Sequence, residues 1–190
     1  MKTRPMLFKG PMVRAILAGG KTQTRRIVKL PVIDRYGTGC EIAGCELNSC
    51  LQQGLEICPY GKPGDRLWVR ETFLWRANRL IPVYRANMEP AEAAGFGAMY
   101  GGWEPSIFMP RSASRITLEI TGVRVERLQD ISSEDAKAEG VTTNMADVTP
   151  GEDAVAWSYI DGYKWLWESI NGKGSWARNE WVWVIEFKKL

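Results

Sequence analysis

There is no histidine among the 190 residues. That removes the side chain that most often serves as general base or metal ligand near neutral pH. Acid–base chemistry here must therefore run on carboxylates, amines, hydroxyls or thiols. Long apolar runs are also missing, since no stretch approaches the roughly 20 residues of a membrane span. A membrane is therefore not expected as a partner. The opening Met1-Lys2-Thr3-Arg4-Pro5-Met6-Leu7-Phe8 is basic but has no apolar h-region. It does not read as a secretory signal, and a cytoplasmic location is expected. Cysteine is sparse and confined: Cys40, Cys45, Cys50 and Cys58 follow the spacing C-x4-C-x4-C-x7-C. The paired C-x2-C of common zinc modules is absent, and disulfides do not suit a reducing cytosol. These cysteines read as free thiols, with a structural zinc as the weaker alternative and no other cofactor expected. Acids are nearly absent at the start, where residues 1–39 hold nine basic side chains against Asp34 alone. A segment of net charge +8 in a chain of +3 attracts phosphate, and nucleic acid is the usual polyanion. A merely solvated surface is the alternative.

What is present is enough for one well-packed domain: 45% of residues are hydrophobic and 25% charged. Residues 11–18 read as a short helix with proline in its first turn. Met12/Ile16 and Val13/Leu17 share a face, and Gly19-Gly20 ends it. Residues 31–64 and 85–110 are rich in glycine and proline and read as loops or inserts. Lys62-Pro63-Gly64-Asp65 is a turn launching a strand from Arg66. Ile116, Leu118 and Ile120, then Val123 and Val125, give the clearest strand alternation. Ser132-Ser133-Glu134-Asp135 starts a helix that Gly140 stops. A further helix is expected over about 152–170, with Trp157, Ile160, Trp167 and Ile170 at helical spacing, and Trp181–Phe187 closes the chain as a strand.

Gly19-Gly20-Lys21-Thr22-Gln23-Thr24-Arg25-Arg26 is the segment that carries chemistry. It is not a phosphate-binding P-loop, because Ala15 stands where the first glycine is needed and the loop follows a helix rather than a strand. An ordinary lysine titrates at about 10.4 and is a poor base. Nearby Arg25 and Arg26, or burial, would lower that value and let Lys21 take the Thr24 hydroxyl proton. Glu139 sits where the 133–139 helix ends. The negative end of the helix dipole disfavours its ionisation, which suits a carboxyl group that shuttles protons. The plain alternatives are a polar turn that binds phosphate and an exposed helix-end glutamate.

Taken together, the helix followed by Gly-Gly-Lys21-Thr-Gln-Thr24-Arg-Arg26, Lys62-Pro-Gly-Asp65 entering a strand, Ala138-Glu139-Gly140 and the closing Trp181-Val-Trp-Val-Ile-Glu-Phe187 resemble the ASCH family of the PUA-like superfamily. The segment Cys58-Pro-Tyr-Gly-Lys-Pro-Gly-Asp-Arg-Leu-Trp-Val-Arg-Glu-Thr72 most resembles members encoded by phages and prophages. The resemblance implies an α+β fold, a single mixed β-barrel domain over 1–190 with flanking helices, and inserts at about 31–57 and 76–110. Some compact members remove the acetyl group from N4-acetylcytidine with a Lys, a Thr and a Glu. Those roles fall on Lys21, Thr24 and Glu139, with Arg26 matching an arginine two positions after the threonine. The implied partners are a modified nucleoside or RNA, and no metal is needed. Here Gln23 and Arg25 replace hydrophobic residues of the family motif.

Arg25, Arg26, Glu71 and Trp68 are the expected substrate-binding residues, Glu71 as an alternative carboxylate. Nine tryptophans are present. Trp181 and Trp183 share a strand face, while Trp68, Trp75 or Trp103 are expected at a pocket rim. Two other functions stay open: a non-catalytic module that binds RNA or a modified base, and a metal-independent ribonuclease.

Overall fold

The computed structural model describes residues 1–29, 32–33, 39–40, 44–52, 57–76, 80–142 and 158–190. Its frame is one five-stranded sheet built from β1 (Thr3–Leu7), β2 (Gln23–Ile27), β5 (Arg66–Arg70), β8 (Thr117–Arg127) and β9 (Trp181–Lys189). The order is β1-β5-β8-β9-β2; β1 runs parallel to β5 and the other pairs are antiparallel. The mixed α+β character expected from the sequence is present. Among the described residues no pairing joins β1 to β2, so the sheet is open rather than closed into a barrel. Two small ladders lie apart from it, β3 (Val32–Ile33) with β4 (Gly39–Cys40), and β6 (Phe73–Arg76) with β7 (Ile81–Tyr84).

β9 explains how the sheet is covered. Its side chains alternate with period two, and both sets are buried. Trp183, Ile185 and Phe187 enter a core with Met6, Ile16, Leu67 and Leu118. Val182 and Val184 enter a second core with Leu128, Ala136, Tyr163 and Trp167. Each fully buried side chain of this size contributes about 1.5–3 kcal/mol. Helix α1 (Gly10–Leu17) packs its Met12, Val13 and Ile16 face into the first core. Helices α4 (Ser133–Ala138) and α5 (Tyr159–Asn171) cover the other face. α4 begins at Ser132, whose hydroxyl accepts the Asp135 N–H, and α5 begins at a capping box of Ser158 with Asp161. The stretch 152–157, Trp157 included, lies outside the described residues.

Two segments read as loops contain helices: α2 (Gly44–Gln52) and α3 (Pro90–Met99). In α3, Gly95 and Gly97 lower the intrinsic helix propensity, but packing decides. Trp103 lies against Gly97, where a Cβ would come within 2.6 Å of the indole, and its Nε1–H donates to Ala93 O at 2.7 Å. No helix among the described residues is long and apolar enough to cross a membrane.

Candidate functional site

The Lys21 segment is held between two helix ends. Its N–H donates to Ala15 O of α1, and the Thr22 N–H donates to Ala138 O of α4 at 2.8 Å. Lys21 and Glu139 pair as an isolated β-bridge, which sets their side chains side by side. Gly140 permits this approach. It has φ +85°, and a Cβ there would lie 2.8 Å from Ala15 Cβ and 3.0 Å from Lys21 Cβ. The glycine that looked like a helix stop thus also seats the lysine.

Lys21 is not part of a solvated basic loop: its side chain is 0% exposed. The three ammonium protons have three acceptors, Gln23 O at 2.7 Å, Glu139 O at 2.9 Å and Glu139 Oε2 at 2.7 Å. That is the hydrogen bonding of a protonated amine. Burial nevertheless pulls the Lys21 pKa below its ordinary value. Glu139 opposes the shift, and Arg26 and Arg25 add to it. The lowering expected from neighbouring cations is there, with burial as its main cause.

Arg25 is buried too, and side chains of the protein hold its guanidinium at the edge of the candidate cavity. Its Nη1 donates to Gln23 Oε1 at 2.8 Å and Glu139 Oε1 at 3.2 Å, and its Nη2 to Asp135 Oδ2 at 3.0 Å. It also pairs with Glu126. Burial works against its charge, but Glu139 and the other partners outweigh it and raise its pKa. Asp135 is held below the usual carboxylate value: its burial is outweighed by the Gln23 amide and by Arg25 and Arg124. Arg124 extends the network to Glu126, Asp135 and Glu186. Glu139 therefore faces two cations, which a reading based on its helix end alone leaves out.

Arg25 and Glu139 border a cavity of about 190 Å³ that also takes in Thr24, Arg26, Tyr60, Tyr163 and Trp167. Drug-sized sites run to roughly 300–1,000 Å³, so this one suits a single small ring system. Thr24 is buried at the wall, and among the described residues no hydrogen bond engages its hydroxyl. Glu139 lines the cavity while Lys21 stands behind it. Arg26 donates to Leu7 O at 2.7 Å and lies over the Phe8 ring. Burial and then Glu139 push the Tyr163 pKa well above its ordinary value, which keeps a neutral phenol there.

Other expected site residues lie elsewhere. Glu71 is buried in a two-pronged pair with Arg115, at 2.8 and 2.9 Å, and does not line this cavity. Trp68 lies against Arg70 and Arg111, Trp75 packs edge-on to Phe73, and the indole facing the cavity is Trp167. Trp183 is core, and Trp181 carries Arg127 over its ring. Among the cysteines, Cys50 and Cys58 are free thiols, and burial pushes Cys58 up to about 11. The side chains of Cys40 and Cys45 lie outside the described residues, so the four-cysteine zinc alternative falls outside them as well. Sequence reasoning missed Gln23, Glu126, Asp135 and Tyr163. Asp135 and Tyr163 sat in predicted helices, but nothing local marked their inward direction.

Among solved structures, the chain is similar to the ASCH domain from Lactobacillus crispatus JV V101, with 12% identity over 99% of this chain and 79% of that one and a TM-score of 0.42. No protein-family model and no curated protein matches the chain.

Proposed function

We propose that the 190 Å³ cavity is the active site of a hydrolase that removes an acyl group from the exocyclic amine of a modified cytidine-type base. One observation carries the reading. Glu139 lines the same cavity as the Thr24 hydroxyl and is bonded at 2.7 Å to a buried lysine of lowered pKa. Thr24 Oγ1 attacks the acyl carbonyl carbon, and its proton passes to the Lys21–Glu139 pair through Glu139, the member that reaches the cavity. Arg26 lies close enough to offset charge on the resulting oxyanion. The C–N bond then breaks as Glu139 returns the proton to the departing amine. Water hydrolyses the acyl-threonine ester, releases the carboxylic acid and restores Thr24. Arg25 acts as a positioning residue that holds Glu139 at the cavity wall, and the Gln23 amide oxygen holds Arg25 in turn.

The test is mass spectrometry of N4-acetylcytidine incubated with wild type, Thr24→Ala and Lys21→Ala, with folding checked by circular dichroism. Cytidine is expected from wild type alone. Turnover by folded Thr24→Ala at the wild-type rate removes the mechanism. A second reading, binding of a modified base without turnover, is favoured by the three filled donors of Lys21 and by the lack of a hydrogen bond from Lys21 to Thr24 among the described residues. It predicts saturable binding of N4-acetylcytidine recovered intact.

A further inference from the structure

Helix α5 brings to the cavity one polar group that the acyl transfer does not use, the Tyr163 hydroxyl. Tyr163 lines the wall and is only 3% exposed. Among the described residues no hydrogen bond engages its hydroxyl. A buried hydroxyl without a partner is uncommon and costly. The ring is held in place: Trp167 and Trp176 stand 6.2 Å from it, centroid to centroid, and the Arg25 guanidinium lies over its face at 5.7 Å.

The neighbours explain why this donor is left over. Glu139 is the charge that acts on the hydroxyl most strongly, ahead of Arg25 and Arg26. The phenol oxygen therefore sits among the groups the reaction uses. Yet both Glu139 oxygens are already engaged, Oε2 by Lys21 at 2.7 Å and Oε1 by Arg25 at 3.2 Å. Arg25 in turn spends its donors on Gln23, Glu126, Asp135 and Glu139. Arg26 spends Nε and Nη2 on the Met6 sulfur and Leu7 O. Two other donors of the wall are placed differently. The Trp167 indole N–H has no partner but is itself shut off from open space. Tyr60 is only half-buried, and the groups that act on it are Arg26 and Cys58 rather than Glu139.

A ligand atom that enters beside Glu139 thus meets a fixed, buried and unfilled donor. Hydrogen bonds of this kind strengthen as the acceptor becomes anionic, and a donor already in place needs no reorganisation at that moment.

We propose that the Tyr163 hydroxyl donates to the acyl oxygen of the ligand and stabilises it as the oxyanion. No proton leaves Tyr163. Its O–H bond stays intact while the carbonyl π bond opens on Thr24 attack and re-forms as the C–N bond breaks. Burial and Glu139, which keep the phenol neutral, preserve that O–H. The assignment rests on the hydrolase reading for what the oxygen becomes; the hydrogen bond itself does not need turnover.

The test is Tyr163→Phe, which removes the hydroxyl and keeps the ring with its packing. With N4-acetylcytidine as substrate, kcat should fall about 10²–10³-fold. KM should stay within roughly threefold, because the lost bond matters most in the transition state. A merely structural role would not give that split. A second measurement reads the bond without turnover: the infrared band of an isotope-labelled acetyl carbonyl in N4-acetylcytidine bound to Thr24→Ala. It should lie below its position in an aprotic solvent, and return toward that position in Thr24→Ala/Tyr163→Phe. A band at the aprotic position in Thr24→Ala overturns the proposal, even if Tyr163→Phe folds poorly. Wild-type kcat in folded Tyr163→Phe also overturns it and leaves the hydrolase reading intact. A lowered band that depends on Tyr163, in a protein that never deacylates, does the reverse: the donor stands and the hydrolase reading falls.

Discussion

Replacing Glu139 by Gln should destabilise the fold far more than replacing its partner Lys21 by Met, although the two share one ion pair. Lys21 has a side chain 0% exposed and its only carboxylate contact among the described residues is Glu139. Without that charge, a buried ammonium keeps only the Gln23 and Glu139 carbonyls. Stranding one member of a buried pair costs about 3–5 kcal/mol. At this chain length that lowers Tm by roughly 6–20 °C. In Lys21→Met the surviving carboxylate still has Arg25 at 3.2 Å, so no charge is left alone and the loss should be about 1–3 kcal/mol. In the double variant neither orphan exists, and it should be more stable than Glu139→Gln. pH provides a separate check. The folded Lys21 pKa lies below 10.5, so between that lowered value and 10.5 the unfolded chain binds more protons. Stability from this group therefore rises with pH across the window, and the cost of burying the ammonium is fully present below it. Glu139→Gln removes a neighbour that raises the folded value, so the window should widen downward and the rise begin nearer neutral pH. Lys21→Met should abolish that component. Urea denaturation at several pH values measures all of this. Equal losses in the two single variants, or an unchanged pH profile in Glu139→Gln, refute the reasoning.

Gly140→Ala combines a left-handed backbone, φ +85°, with a Cβ 2.8 Å from Ala15 Cβ. It should cost about 2–5 kcal/mol and disturb Lys21 with it, and a loss below about 1 kcal/mol in urea would argue against the close packing. At the other end of the sheet, burial would raise the Asp65 pKa, but the Lys2 N–H at 2.6 Å and Arg4 at 2.9 Å outweigh it and hold the value below 3.8. Its stabilisation is therefore present above 3.8 and lost as pH falls through the lower folded value. Asp65→Asn should be less stable than wild type above that window and match it below; a constant difference in acid titrations contradicts the assignment.

The elements with a strong local pattern were legible. α1 is where proline, the Met12/Ile16 spacing and Gly19-Gly20 put it, and the alternation from Leu118 to Val125 is β8 in the structure, with a register shift between Ile120 and Gly122. The closing strand runs to Lys189 rather than Phe187, and the last helix is described from Tyr159 to Asn171. α2 and α3 were missed because glycine and low periodicity hid them, and their helices depend on packing partners distant in sequence.

For the site, local order in the chain was enough to single out Lys21, Thr24 and Glu139 as residues worth placing together, and to exclude histidine chemistry altogether. It could not tell a basic loop from a buried ion pair. β2 reads Gln-Thr-Arg-Arg-Ile, polar in its first four positions, and polarity normally means solvent. Its burial follows from where β9, α4 and α5 close over it. Glu126, Asp135 and Glu139 arrive there from more than 100 positions away and neutralise Arg25 and Lys21. Charge type and helix ends are properties of neighbouring residues, so the chain carries them by itself. Which charges meet, and whether water reaches them, depends on long-range packing, and only the tertiary structure decided it.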